Sequence, residues 1–188
     1  MLSYLEDAAL KADLADWVTV AAYCVAAILT ARAAASRRAR RHVIEGLFWR
    51  ASTAALILLG VNELLDLQTL LTALGKAMAL AQGWYEERRM VQFVFVLLLA
   101  AGAAVLLAAI FRRTRRSALP VRVALAGFVF IALFVLLRAG SFHHVDSLLG
   151  GGWKSFNYGS LQEMAGIVIV GLAAIAYRRT GRRRRRRR

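Results

Sequence analysis

The segment Ser141-Phe-His-His-Val-Asp146 combines side chains that can carry out chemistry. Imidazole nitrogens and carboxylate oxygens are ligands for zinc and similar metals. The same groups can act as general acid and base, or relay protons near neutral pH. His143 and His144 are therefore candidate zinc ligands, although two adjacent histidines cannot easily reach one metal ion from a regular helix. The alternative is that both lie at a membrane interface and hydrogen-bond to lipid phosphates or to loops.

A second polar group lies near the end of a long apolar run, at Asn62, Glu63 and Asp66. Glu63 and Asp66 are three residues apart and Asn62 and Asp66 four apart, so each pair shares a helix face. A carboxylate inside a membrane is costly unless it is paired, protonated or next to water. Arg138, at a similar depth on another apolar run, is the natural partner of Glu63. The pair is either a purely structural salt bridge between two helices of the bundle or part of a functional site.

These polar residues all fall at the same ends of the apolar runs. Together they predict a polar pocket, and a metal there would need a carboxylate from Glu63 or Asp66 to complete its ligand shell. The predicted pocket residues are Asn62, Glu63, Asp66, Arg138, Ser141, Asp146 and Glu163, with His143 and His144 as candidate metal ligands.

Five apolar runs must position this pocket. Hydrophobic residues make up 60% of the 188-residue chain, against roughly 45–50% in soluble domains. A membrane span needs about 20 mostly apolar residues. The qualifying runs cover residues 17–31, 47–67, 90–111, 119–137 and 161–177. The sequence therefore predicts an all-α, five-span transmembrane domain over residues 17–177.

The distribution of charge predicts how this domain is oriented. Residues 32–50, 112–122 and 178–188 contain 20 of the 26 basic residues and one acid, Glu45. Cytoplasmic loops carry such an excess of arginine and lysine. We therefore expect the N-terminus outside and the C-terminus in the cytoplasm, with the pocket facing the periplasm.

The segments outside the spans also have predicted roles. Residues 1–16 form a weakly amphipathic external segment. Leucines at helical spacing predict a short amphipathic external helix within residues 68–89. Residues 178–188 form a basic cytoplasmic tail that fixes topology and touches anionic lipid. The single cysteine, Cys24, is predicted to be a buried apolar side chain.

The formal net charge of +15 raises the question whether the chain binds nucleic acid. The arginines cluster between or after apolar runs, and no nucleic-acid reader module is recognisable in the sequence. This placement argues against nucleic acid as a partner, and favours membrane lipids and a membrane-protein partner.

Three segments carry a resemblance to known proteins. Residues 62–69, 82–89 and 138–146 resemble a family of small uncharacterised proteobacterial inner-membrane proteins, and the resemblance spans about residues 45–165. It implies a multi-pass protein of the bacterial inner membrane. Ser141, the two histidines and Asp146 are also similar to the residues of transmembrane hydrolases related to alkaline ceramidases, which use a serine, an aspartate and three histidines around zinc.

Two functional hypotheses follow. In the first, the pocket binds a lipid headgroup, a small ligand or a membrane partner. In the alternative, the chain is a metal-dependent membrane hydrolase or transferase acting at the periplasmic face. A proton or ion path is disfavoured, because the other halves of the spans lack the acids that a relay across the membrane needs.

Overall fold

The computed structural model describes residues 14–65, 88–140 and 158–186, and these residues are almost entirely helical. Within them the chain forms six helices. They are α1 (Leu14–Ala34), α2 (Arg37–Arg41), α3 (Val43–Leu65), α4 (Arg88–Thr114), α5 (Leu119–Gly140) and α6 (Tyr158–Arg186). Five of them, all except α2, are long and apolar enough to cross a membrane. The predicted all-α, five-span architecture is confirmed, and the chain is a multi-pass membrane protein. The predicted external helix within residues 68–89 lies outside the described residues, except for the start of α4.

The candidate membrane segments match the predicted runs to within a few residues. They are Trp17–Ala34, Val43–Leu65, Phe93–Thr114, Leu119–Leu136 and Leu161–Thr180. Helix α6 continues through the predicted boundary at residue 177 to Arg186, so most of the basic tail extends the last span as helix.

Short α2 connects the first two spans. Ser36 caps it: the residue has an extended backbone, and its side-chain oxygen accepts a hydrogen bond from the Ala39 amide. Gly46 lets α2 fold against the start of α3, because a Cβ there would lie 2.6 Å from the Ala39 carbonyl oxygen. The arginines of α2 are thereby held beside the end of the bundle.

The spans pack most extensively as two pairs, α5 with α6 and α1 with α3, and α1 also packs on α6. Glycines explain the close approach of α5 and α6. A Cβ on Gly127 would lie 2.8 Å from the Gly166 carbonyl oxygen, and one on Gly166 would lie 2.9 Å from the Gly127 carbonyl oxygen. Small residues allow helix backbones to approach in this way in membranes. Helix α4 packs mainly on α5 and exposes large apolar side chains such as Phe93, Leu98 and Val105.

The ends of the bundle differ in charge. We call the end that carries Arg32, α2, residues 112–116 and Arg178 the basic end, and the opposite one the distal end. One cluster of buried residues, including Trp49 and Tyr177, lies towards the basic end. A second, including Tyr23, Leu56 and Ile167, lies towards the distal end. Cys24 is exposed on α1, so its predicted burial was wrong: in a membrane helix an apolar position faces lipid as readily as the core.

Candidate functional site

A buried carboxylate joins the first and last spans near the distal end. Glu163 of α6 is 3% exposed and Tyr23 of α1 is 1% exposed. The Tyr23 hydroxyl donates a hydrogen bond of 2.5 Å to Oε1 of Glu163. Helical periodicity places the glutamate inside, since Glu163, Ile167 and Val170 follow at intervals of four and three residues and share the buried face of α6.

Helix α3 also borders this site, beside Tyr23 of α1. Gly60 faces Tyr23, and a Cβ on this glycine would lie 3.1 Å from the Tyr23 Cβ. A larger residue would therefore crowd the phenol ring. Glu63 follows Gly60 by three residues and shares its helix face. This spacing puts Glu63 about one turn beyond Gly60, towards the distal end of α3.

The structure describes part of the predicted pocket. Glu163 is buried, and Asn62 and Glu63 are half-buried near the end of α3. The backbone of Arg138 lies in the last turn of α5, but its side chain is outside the described part, so its pairing with Glu63 stays a prediction. The remaining predicted residues lie outside the described ranges; they are Asp66, Ser141, His143, His144 and Asp146.

The predicted metal site is likewise untested at its histidines. Across residues 14–65, 88–140 and 158–186, no group of three or more histidine, cysteine, aspartate or glutamate side chains could hold a metal ion. The hydrolase hypothesis depends on His143 and His144, which these ranges do not include.

A second buried carboxylate lies at the basic end. Its burial and its contacts were not predicted from the sequence. Glu45 is the third residue of α3 and is 5% exposed. Its Oε2 accepts a hydrogen bond from Tyr177 Oη at 2.7 Å and one from Arg38 Nε at 3.0 Å. Its Oε1 accepts one from the Ala118 amide at 2.9 Å. One side chain thus connects α2, α3, the residue that precedes α5 and the part of α6 at the basic end.

Charge and aromatic contacts support this second cluster. The hydrogen bond to Glu45 raises the pKa of the Arg38 guanidinium above its ordinary value. The same guanidinium lies over the Tyr177 ring, 5.1 Å from its centroid, in a favourable cation–π position. The rings of Trp49 and Tyr177 are 5.2 Å apart. Because Glu45 accepts hydrogen bonds from three donors of the protein, one of them the Arg38 cation, we call the Glu45 cluster an internal clamp.

Two sequence signals could have identified the clamp. Glu45 is the only acid among the arginine-rich segments. It also leads a face of α3 that continues with Phe48, Trp49 and Ser52, at intervals of three, four and seven residues. An acid that starts such an apolar face is expected to be buried with it.

Known proteins give no further guide to function. Comparison of the chain with protein-family models, with curated proteins and with solved structures finds no match. The resemblances noted above therefore stay predictions. Function has to be argued from the side chains themselves.

Proposed function

We propose that this chain is a binding protein of the bacterial inner membrane. It recognises a lipid headgroup, a small polar ligand or a membrane partner at its distal end. The observation that carries the proposal is the carboxylate of Glu163, buried between two spans and oriented by the Tyr23 hydroxyl.

A purely structural role explains this carboxylate poorly. Ionisable groups inside membrane spans are costly, and where they occur they usually mark a functional site. Helix association does not require the charge here, because α1 and α6 also pack on each other through a buried apolar cluster that includes Ala27, Ile167 and Val170. Well-packed apolar residues often hold helices together as well as a buried polar pair does. Recognition of a ligand gives the charge a reason to be present.

The acids of the distal end favour a ligand that donates hydrogen bonds or carries positive charge. Glu63 lies near the end of α3 and Glu163 near the start of α6, and the sequence predicts that Asp66 and Asp146 belong to the same pocket. A carboxylate accepts hydrogen bonds and pairs with cations. Among common bilayer headgroups, the ammonium of phosphatidylethanolamine meets both needs, which makes this lipid the first probe.

The charge asymmetry supports a periplasmic position for the site. The segments at the basic end contain 20 of the 26 basic residues, and such segments stay in the cytoplasm. The distal end then opens towards the outer leaflet of the inner membrane, where headgroups and exported ligands are accessible.

The proposal is tested by counting lipids retained in nanodiscs of mixed phosphatidylethanolamine and phosphatidylcholine, using native mass spectrometry. We expect the wild-type chain to retain phosphatidylethanolamine selectively. Glu163→Gln, which keeps the size but removes the charge, should weaken this retention about tenfold, as expected for loss of a charge-assisted hydrogen bond. Tyr23→Phe should weaken it less, because the carboxylate remains.

The matched control is Tyr177→Phe, which removes the other tyrosine–glutamate bond at the basic end. It should leave phosphatidylethanolamine retention unchanged. Equal retention of both lipids by the wild-type chain, or equal loss in Tyr177→Phe and Glu163→Gln, would count against this ligand class. Stoichiometric zinc in the purified protein would favour the hydrolase alternative.

A further inference from the structure

A groove opens at the basic end between α1, α2 and α3. Its volume is about 450 Å³. Three alanines form the floor of the groove, at Ala31, Ala34 and Ala35. Helical spacing puts them on one side of the end of α1, and their short side chains leave the space open. The polar lining comes from Arg40 of α2 and from Arg50 and Thr53 of α3.

Both arginines in this groove are available to a ligand. Arg40 and Arg50 are exposed, and neither forms an ion pair with a carboxylate of the described residues. The nearest acid along α3, Glu45, already accepts hydrogen bonds from Arg38, Tyr177 and Ala118. The groove therefore presents positive charge that no acid of the described part neutralises.

The depth of Arg50 is unusual. It lies seven residues after the first residue of α3, about 10 Å along the helix axis. A charged side chain at that depth is costly unless it reaches the interface or meets an opposite charge. Arg40 approaches the same groove from α2 at the bundle end, so the two guanidinium groups bracket a site at headgroup depth.

We infer that this groove binds an anionic phospholipid, with Arg40 and Arg50 holding its phosphodiester. Guanidinium groups are well suited to phosphate because their planar donors match its oxygens. Because no acid of the described residues pairs with these two arginines, the groove favours a headgroup with a net negative charge, such as that of phosphatidylglycerol. A zwitterionic headgroup would bring an ammonium towards the same positive charges.

The apolar surface next to the groove fits the acyl chains of that lipid. Ile57 follows Arg50 by seven residues and Thr53 by four, so all three lie on one face of α3. On α1, Ile28 precedes Ala31 by three residues. Both isoleucines are exposed and continue the groove towards the distal end. Free inorganic phosphate would use the arginines but leave this strip uncovered, which favours a lipid over a soluble anion.

The test is a titration of delipidated wild-type protein with phosphatidylglycerol or phosphatidylcholine, with bound lipid counted by native mass spectrometry. We expect phosphatidylglycerol to bind selectively. Arg40→Gln and Arg50→Gln should each weaken its binding about fivefold, and the double variant more than either. The matched control is Arg122→Gln, which removes an exposed arginine of α5 at the same end. It should bind as the wild type does.

A second pair of variants tests the groove without changing charge. Ala31→Leu fills the floor and should weaken binding, whereas Ala101→Leu, on an exposed face of α4, should not. Thermal melting confirms that each variant is folded. The inference is overturned if Arg122→Gln lowers binding as much as Arg50→Gln, if both lipids bind equally, or if Ala31→Leu binds normally. It is also overturned if millimolar inorganic phosphate displaces the lipid completely.

Discussion

The Tyr23 hydroxyl and the Glu163 carboxylate form a buried hydrogen bond of 2.5 Å that ties the first membrane span to the last. A second tyrosine–glutamate bond, from Tyr177 to Glu45, lies at the other end of the bundle. Glu163 and Tyr177 are fourteen residues apart on α6, which corresponds to about 21 Å along the helix. One helix thus takes part in a buried polar contact near each end of its membrane segment, Leu161–Thr180.

The first prediction concerns the energy of the Tyr23–Glu163 bond. Tyr23→Phe should lower the free energy of unfolding by about 2 kcal/mol, because a buried hydrogen bond to a charged group is lost. Glu163→Gln should cost a similar amount. A double-mutant cycle, measured by reversible unfolding in mixed micelles, should give a coupling energy of at least about 1 kcal/mol. Additive effects of the two substitutions would show that the contact contributes no stability.

The second prediction concerns the clamp at the basic end. Glu45→Ala removes the acceptor of three hydrogen bonds, and we expect a loss of at least about 2 kcal/mol in unfolding free energy. Arg38 is partly exposed, so water can hydrate its guanidinium in Glu45→Ala, and this hydration limits the loss of stability. The exposed neighbour Arg37 serves as control, and Arg37→Gln should change stability by less than about 0.5 kcal/mol. Equal stability of Glu45→Ala and the wild type would refute the clamp.

The third prediction concerns the approach of α5 and α6. Gly166→Ala places a Cβ 2.7 Å from the Ile131 side chain and 2.9 Å from the Gly127 carbonyl oxygen, so the helices must separate. We expect a destabilisation of about 1–3 kcal/mol, as for overpacking in general. At Gly102 of α4 nothing lies within 4 Å of an added Cβ. Gly102→Ala should therefore be neutral or slightly stabilising, and destabilisation of both variants to the same extent would exclude tight packing as the cause.

Hydrophobic length and composition sufficed to predict the five spans, because a bilayer requires about 20 apolar residues in each. The same signal could not give the arrangement of the spans. Every span is apolar on most sides, so periodicity distinguishes core from lipid poorly, and Cys24 was assigned to the wrong surface for this reason. The contact of Gly127 with Gly166 depends on which helices are neighbours, and the sequence alone does not specify this.

The candidate site was partly predictable. Glu163 stands out as an acid at the start of an apolar run, and its burial agrees with the cost of exposing charge to lipid. Its partner Tyr23 lies in the middle of α1, one turn after Thr19, and only the packing of α1 on α6 identifies it as the partner. Glu45 lies among loop arginines in the sequence, and its three hydrogen-bond donors come from three separate segments, so the sequence does not predict its contacts.

The fourth prediction concerns orientation. In a Cys24→Ala background, cysteines introduced at Lys76 and Lys154 should react with an impermeant reagent in intact spheroplasts, because the acidic side is expected to be periplasmic. Arg115→Cys, in the connection that follows α4, should react only after lysis. The reverse pattern would invert the topology and place the distal end in the cytoplasm.

Mapping where a headgroup binds tests the proposed function most directly. A phosphatidylethanolamine with a photoreactive diazirine beside its glycerol can be crosslinked to the protein in nanodiscs and located by peptide mass spectrometry. We predict crosslinks concentrated on the middle of α1 and the distal parts of α3 and α6, around Tyr23, Glu63 and Glu163. They should fall sharply in Glu163→Gln and persist in Tyr177→Phe. Crosslinks spread evenly over all five spans, or unchanged in Glu163→Gln, would contradict recognition at this site.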